Sequence, residues 1–166
     1  MATSPPYNPI IGNGGFETGL LAPWVSSDVT AATIGTGTQA FAGDHYLNLQ
    51  TAPGNRANSV YQVLRELNTT ATYSLNARVW GPAVSTANYC SAYIHVGTNA
   101  TTGFIASVDI SYDQSGQWLP LGGEFQPQHE RLPLYVQAGC TLSGASQTGI
   151  LLFDEITLTE LPPVLE

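Results

Sequence analysis

The sequence predicts an all-β domain made of many short strands joined by turns, and three observations support this. Segments such as Tyr73–Trp80, Tyr89–Val96 and Arg131–Cys140 alternate apolar and polar residues with a period of two. Among the 166 residues there are 17 Gly and 11 Pro, which punctuate those segments as turns between strands should. Only Ser59–Leu67 competes as a helix, because Val60, Val63, Leu64 and Leu67 fit a 3.6 period. That stretch is short, lacks Ala and carries Val60, Tyr61 and Val63, so it reads as strand.

Taken in order, residues 1–9 form a flexible Pro-rich lead, residues 10–160 a single domain and residues 161–166 a tail. Asn13-Gly14-Gly15-Phe16-Glu17 is a tight turn behind the apolar pair Ile10 and Ile11, with Phe16 as a core anchor. Trp24 reads as core, and a polar strand or loop follows from Val25 to Val29. Residues 30–43 hold a short strand between turns. His45–Gln50 alternates with Leu47 and Leu49 inward, and Thr51–Asn58 is a loop through Pro53-Gly54-Asn55. Asn68-Thr69-Thr70 turns the chain into Tyr73–Trp80, where Tyr73, Leu75, Ala77 and Val79 share the inward face. In Tyr89–Val96 the inward residues are Cys90, Ala92, Ile94 and Val96. Phe104, Ala106, Val108 and Ile110 mark one face of a further strand, and Tyr112–Gln117 is a turn into an edge strand at Trp118, a core or rim residue. In Arg131–Cys140 the apolar side carries Leu132, Leu134, Val136, Ala138 and Cys140, and after a polar loop at 143–148 the strand from Ile150 to Leu158 places Leu152, Asp154, Ile156 and Leu158 on one face.

Charge narrows the partners. Four Arg, no Lys and twelve acidic residues give a formal charge of −8, which argues against nucleic acid and anionic membranes and suits neutral ligands or cations. No apolar run reaches the length of a membrane span. Asn68-Thr69-Thr70 and Asn99-Ala100-Thr101 match the glycosylation acceptor pattern, and with the Thr/Ser/Gly-rich composition they point to a secreted protein. Cys90 and Cys140 sit on the apolar parity of their strands, so either a disulfide or a pair of buried thiols satisfies the pattern. Catalytic patterns are not legible: His45, His95 and His129 are scattered, and the pairs Asp109/Asp113 and Glu124/Glu130 are what any acidic chain offers. A polysaccharide lyase or esterase, and a structural or adhesive wall protein, stand as the alternatives to a binding module.

A carboxylate held at a tight, apolar-flanked turn needs hydrogen-bond donors or a cation. Glu17 meets that description, and Asp154 supplies a second acid from an apolar row at the other end of the chain. The two read as arms of one calcium site joining the first element to the last, beside the plainer reading of hydrogen-bonded or solvated acids.

Four motifs in order resemble the CenC-like carbohydrate-binding modules grouped with families four, nine and twenty-two. They are Asn13-x-x-Phe16-Glu17-x-Gly19, the following Trp24, Gly43-x-x-x-Leu47-x-Leu49, and Phe153-Asp154-x-Ile156-x-Leu158. The match runs from Asn13 to Leu158. The resemblance implies an antiparallel jelly-roll β-sandwich of the galactose-binding-domain-like type, without catalytic function, that binds an oligosaccharide or polysaccharide. It also implies a structural Ca²⁺ held by the Glu17 and Asp154 carboxylates, with carbonyls near Gly15, Asp44 and Asp154. Met1–Thr3 and Leu165–Glu166 read as the boundaries of a piece of a longer protein, in which a neighbouring catalytic domain would be a partner.

Sugars offer C–H faces that stack on aromatic rings and hydroxyls that need planar polar partners. The expected site is therefore the outward face of one sheet holding strands 73–80, 89–96 and 131–140. Trp80, Tyr89, Tyr93 and Tyr135 would supply rings there, and Asn76, Arg78, His95 and Gln137 the donors and acceptors.

Overall fold

A computed structural model describes residues 10–81, 88–144 and 146–165. The expected lead at 1–9, the turn beyond Gly81 and the last residue of the expected tail lie outside the described residues. Among the described residues ten strands form two five-stranded sheets, every pairing antiparallel. The first sheet runs β1 (Val25–Ser26), β4 (Asn58–Leu64), β9 (Leu132–Thr141), β6 (Tyr89–Val96) and β7 (Phe104–Ile110). The second runs β2 (Ala32–Thr36), β3 (His45–Gln50), β10 (Ile150–Glu160), β5 (Tyr73–Trp80) and β8 (Trp118–Phe125). This is an antiparallel β-sandwich of jelly-roll type. The ambiguous stretch is a strand, because all seven residues of β4 pair with β9.

The inner faces close on one core. From the first sheet come Val60, Leu64, Ala92, Ile94, Leu134 and Val136; from the second come Leu47, Leu49, Tyr73, Leu75, Val79, Leu151, Phe153 and Ile156. Cys90 and Cys140 face each other across β6 and β9 and form a disulfide. Closing a loop of 50 residues stabilises the fold by about 4 kcal/mol in the chain-entropy picture. Gly149 passes over that bridge where a Cβ would lie 2.4 Å from the Cys140 sulfur. Trp24 is core, its indole donating to the Asn13 carbonyl at 3.1 Å, while half-buried Trp118 belongs to the rim.

Two bulges overturn the strict alternation expected from sequence. In β10, Glu155 and Ile156 together oppose one residue of β5, and Glu155 takes φ 51°. Leu151 and Phe153 therefore point inward with Ile156 and Leu158, whereas Leu152 and Asp154 lie on the outer side. The amide of Ile156 donates to the Gly14 carbonyl at 2.9 Å. The N-terminal turn thus plugs into the bulge, and a Cβ on Gly14 would lie 1.9 Å from the Ile156 oxygen. In β7, Ile94 pairs with Ala106 but His95 pairs with Phe104, so Ile105 is the extra residue. Phe104 consequently turns outward and is exposed, while Ile105 and Ala106 are both buried.

Candidate functional site

The expected face does not exist as one surface. Parity tells which side of its own sheet a residue takes, not which sheet holds the strand, and the chain changes sheets between β5 and β6. Asn76, Arg78 and Trp80 therefore lie on the outer face of the second sheet, and Tyr89, Tyr93, His95, Tyr135 and Gln137 on that of the first.

On the first sheet the rings form a ladder across four strands. Tyr61 of β4 lies 5.2 Å from Tyr135 of β9, and Tyr135 stacks on His95 of β6 at 4.9 Å and 12°. His95 meets Tyr93 at 5.9 Å, and Tyr93 meets Phe104 of β7 at 5.1 Å. Cross-strand register builds this row: Tyr61 opposes Tyr135, Tyr135 opposes His95, and His95 opposes Phe104. Tyr89 shares the face but stands at the far end of β6, outside the ladder.

Polar groups are interleaved with the rings. Gln137 Nε2 donates to His95 Nε2 at 3.3 Å, which leaves the imidazole proton on Nδ1. That atom is buried with no partner in hydrogen-bond geometry, and His95 as a whole is only 3% exposed. Burial pushes the imidazole pKa below its ordinary value, against a smaller opposing pull from the backbone at Gly97 and Val96. The Tyr93 hydroxyl donates to the Ala100 carbonyl at 2.7 Å and so fixes its ring against the 97–103 loop. Tyr61 and Phe104 were missed in the sequence. Tyr61 alternates outward with Ser59 and Val63, a signal that was legible, whereas the orientation of Phe104 depends on the bulge and was not.

On the second sheet Arg78 lies 4.8 Å over the Phe41 ring, and Phe41 meets Trp118 edge-on at 5.9 Å. Trp80 pairs across the strands with Trp118. The loop carrying Phe41 straps this face, with the Trp118 indole donating to the Gln39 carbonyl at 3.1 Å. Asp154 is fully buried under the strap, where Oδ2 accepts from the amides of Phe41 at 3.0 Å and Ala42 at 3.1 Å and Oδ1 from the Glu155 amide at 2.8 Å. Burial raises its pKa, while the amides oppose the rise.

Glu17 holds the other end of the strap. Its Oε1 accepts from the amides of Asp44 and His45 at 3.0 and 3.1 Å, and its Oε2 pairs with His45 Nδ1 at 2.9 Å. The His45 side-chain hydrogen bond leads the causes that lower the Glu17 pKa. Gly15 and Gly14 lie against the β10 bulge, and Asp44 gives its amide rather than its carboxylate to Glu17. Every oxygen of Glu17 and Asp154 thus already accepts at least one N–H. Among the described residues no group of three or more His, Cys, Asp or Glu side chains could hold a metal ion. The Ca²⁺ that the resemblance implies would have to share these oxygens with the amides of the strap.

The sequence matches no family model and no curated relative. Solved structures share the fold. TmCBM61, in complex with β-1,4-galactotriose, superposes with a TM-score of 0.64 at 20% identity, covering 93% of this chain and 100% of that one. The CBM22-1 xylan-binding domain from Paenibacillus barcinonensis Xyn10C gives 0.64 at 18% identity, covering 91% and 94%. A further xylan-binding domain, from CBM 22, gives 0.57 at 14% identity, covering 89% and 92%.

Proposed function

We propose that this domain is a non-catalytic module that binds a neutral glycan chain along the aromatic ladder of the first sheet. The observation that carries the reading is the row Tyr61, Tyr135, His95, Tyr93 and Phe104, with neighbouring ring centroids 4.9 to 5.9 Å apart on rigid strands. Such a surface offers stacking platforms to successive sugar rings, and the Gln137 amide offers hydrogen bonds to their hydroxyls. Two of the similar structures, each of about the same length as this chain, are a module in complex with β-1,4-galactotriose and a xylan-binding domain, which makes β-1,4-linked galacto- and xylo-oligosaccharides the first ligands to try.

Secretion belongs to the same proposal. The disulfide suits an oxidising compartment, and Asn68 and Asn99 are both exposed. Titration calorimetry with both series from trimer to hexamer tests the reading. Saturable binding that weakens in a Tyr135→Ala variant supports it, and absence of binding across soluble and insoluble glycans overturns it.

A further inference from the structure

The ladder does not end on open surface. Beyond Phe104, where the sheets part at the ends of β6, β7, β8 and β9, lies a cleft of about 330 Å³. Thr98 and Asn99 of the wall loop 97–103 line it together with Gln128 and His129, and Phe104, Phe125 and Leu132 are among its apolar surfaces. Phe104 is shared: one residue closes the ladder 5.1 Å from Tyr93 and lines the cleft.

The wall loop is held in place from both sides. Gly97 donates to the Pro133 carbonyl at 2.9 Å, Val96 to that of Gly103 at 2.9 Å, and the Tyr93 hydroxyl to that of Ala100 at 2.7 Å. Ladder and cleft are therefore parts of one fixed surface. The chemistry of the lining is also selective. In a chain with twelve acids and four Arg, none of the lining residues is Asp, Glu, Lys or Arg. Rings, amides, hydroxyls and one imidazole remain, and that set suits an uncharged polyhydroxylated ligand.

We propose that this cleft is an additional sugar subsite, taking the residues of a neutral glycan chain that extend past β7. The proposal rests on the ladder being the principal glycan surface. It makes chain length a determinant of affinity, because a short oligosaccharide fills the ladder and only a longer one enters the cleft.

The experiment compares the unglycosylated wild-type protein with a Gln128→Ala/His129→Ala double variant. Both residues are exposed and lie off the strands, so the fold is retained. Affinities are measured for the β-1,4-linked series from trimer to hexamer, and the His129 ring resonances are followed by NMR. The wild type should gain about tenfold on lengthening, the variant should lose that gain with its trimer affinity unchanged, and the His129 resonances should move with hexamer alone. Equal length dependence in the two proteins overturns the subsite and leaves the ladder standing. Loss at every length, trimer included, also overturns it, by placing the loop in the principal site. Failure of the wild type to bind any length overturns both readings.

Discussion

Tyr135 and His95 stack at 4.9 Å and 12° from parallel on neighbouring strands, with His95 sealed beneath the outer face. A buried histidine thus supports a partly exposed tyrosine, and the central ring of the ladder rests on a rigid floor.

Removing that ring should cost binding and little else. Tyr135→Ala is expected to weaken glycan affinity by about 1–3 kcal/mol, as truncating a central aromatic anchor does. Trp80→Ala should leave affinity unchanged, since Trp80 stands on the opposite sheet. Calorimetric titration of the two variants decides between the faces; loss of affinity in Trp80→Ala alone would move the site to the second sheet.

His95 makes stability pH-dependent in a defined direction. Its folded pKa lies below its unfolded value of about 6.5, so the unfolded chain takes up the proton first as pH falls. Its contribution is complete above the unfolded pKa and is lost as pH drops from there toward the folded one. The melting temperature of the wild type should fall between pH 7.5 and pH 5 by more than that of His95→Phe, which keeps a ring and cannot titrate. Parallel curves would remove His95 as the cause.

Gly14 is where the two ends of the domain meet. Gly14→Ala brings a Cβ to 1.9 Å from the Ile156 oxygen, so the turn or the bulge must shift. Destabilisation of about 1–3 kcal/mol or more is expected, read from denaturant unfolding. A wild-type midpoint in the variant would show that the turn is free of the bulge.

Glu17 and Asp154 are satisfied by the strap's own amides, which gives a direct test of the implied ion. The melting temperature should be the same in chelator and in millimolar calcium, whereas Glu17→Gln should lower it. A rise with calcium that Glu17→Gln abolishes would place the ion between these acids by linkage.

Much of this architecture was legible in the residues, and what was not has an identifiable cause. The limits of β3, β5 and β6, and the inward parity of Leu47, Leu75 and Ile94, follow from alternation alone because each strand has one face on the core. Phe104 and Asp154 were placed on the wrong side because a bulge is set by the partner strand, and the partner is not written locally. Trp80 and Tyr93 were joined on one face because parity carries no information about sheet membership. The ladder emerged only once register set Tyr61 against Tyr135.

The strand order has a consequence for how the chain acquires its structure. β10, the last strand of the domain in chain order, sits in the middle of the second sheet between β3 and β5. Until it arrives, β3 and β5 have no shared neighbour, and the N-terminal turn has no bulge to enter. Folding of that sheet therefore waits until β10 has been made, and is slow in the way of topologies rich in distant contacts. A chain truncated before Ile150 lacks its central strand rather than an edge, and should expose the unpaired sides of β3 and β5 to aggregation.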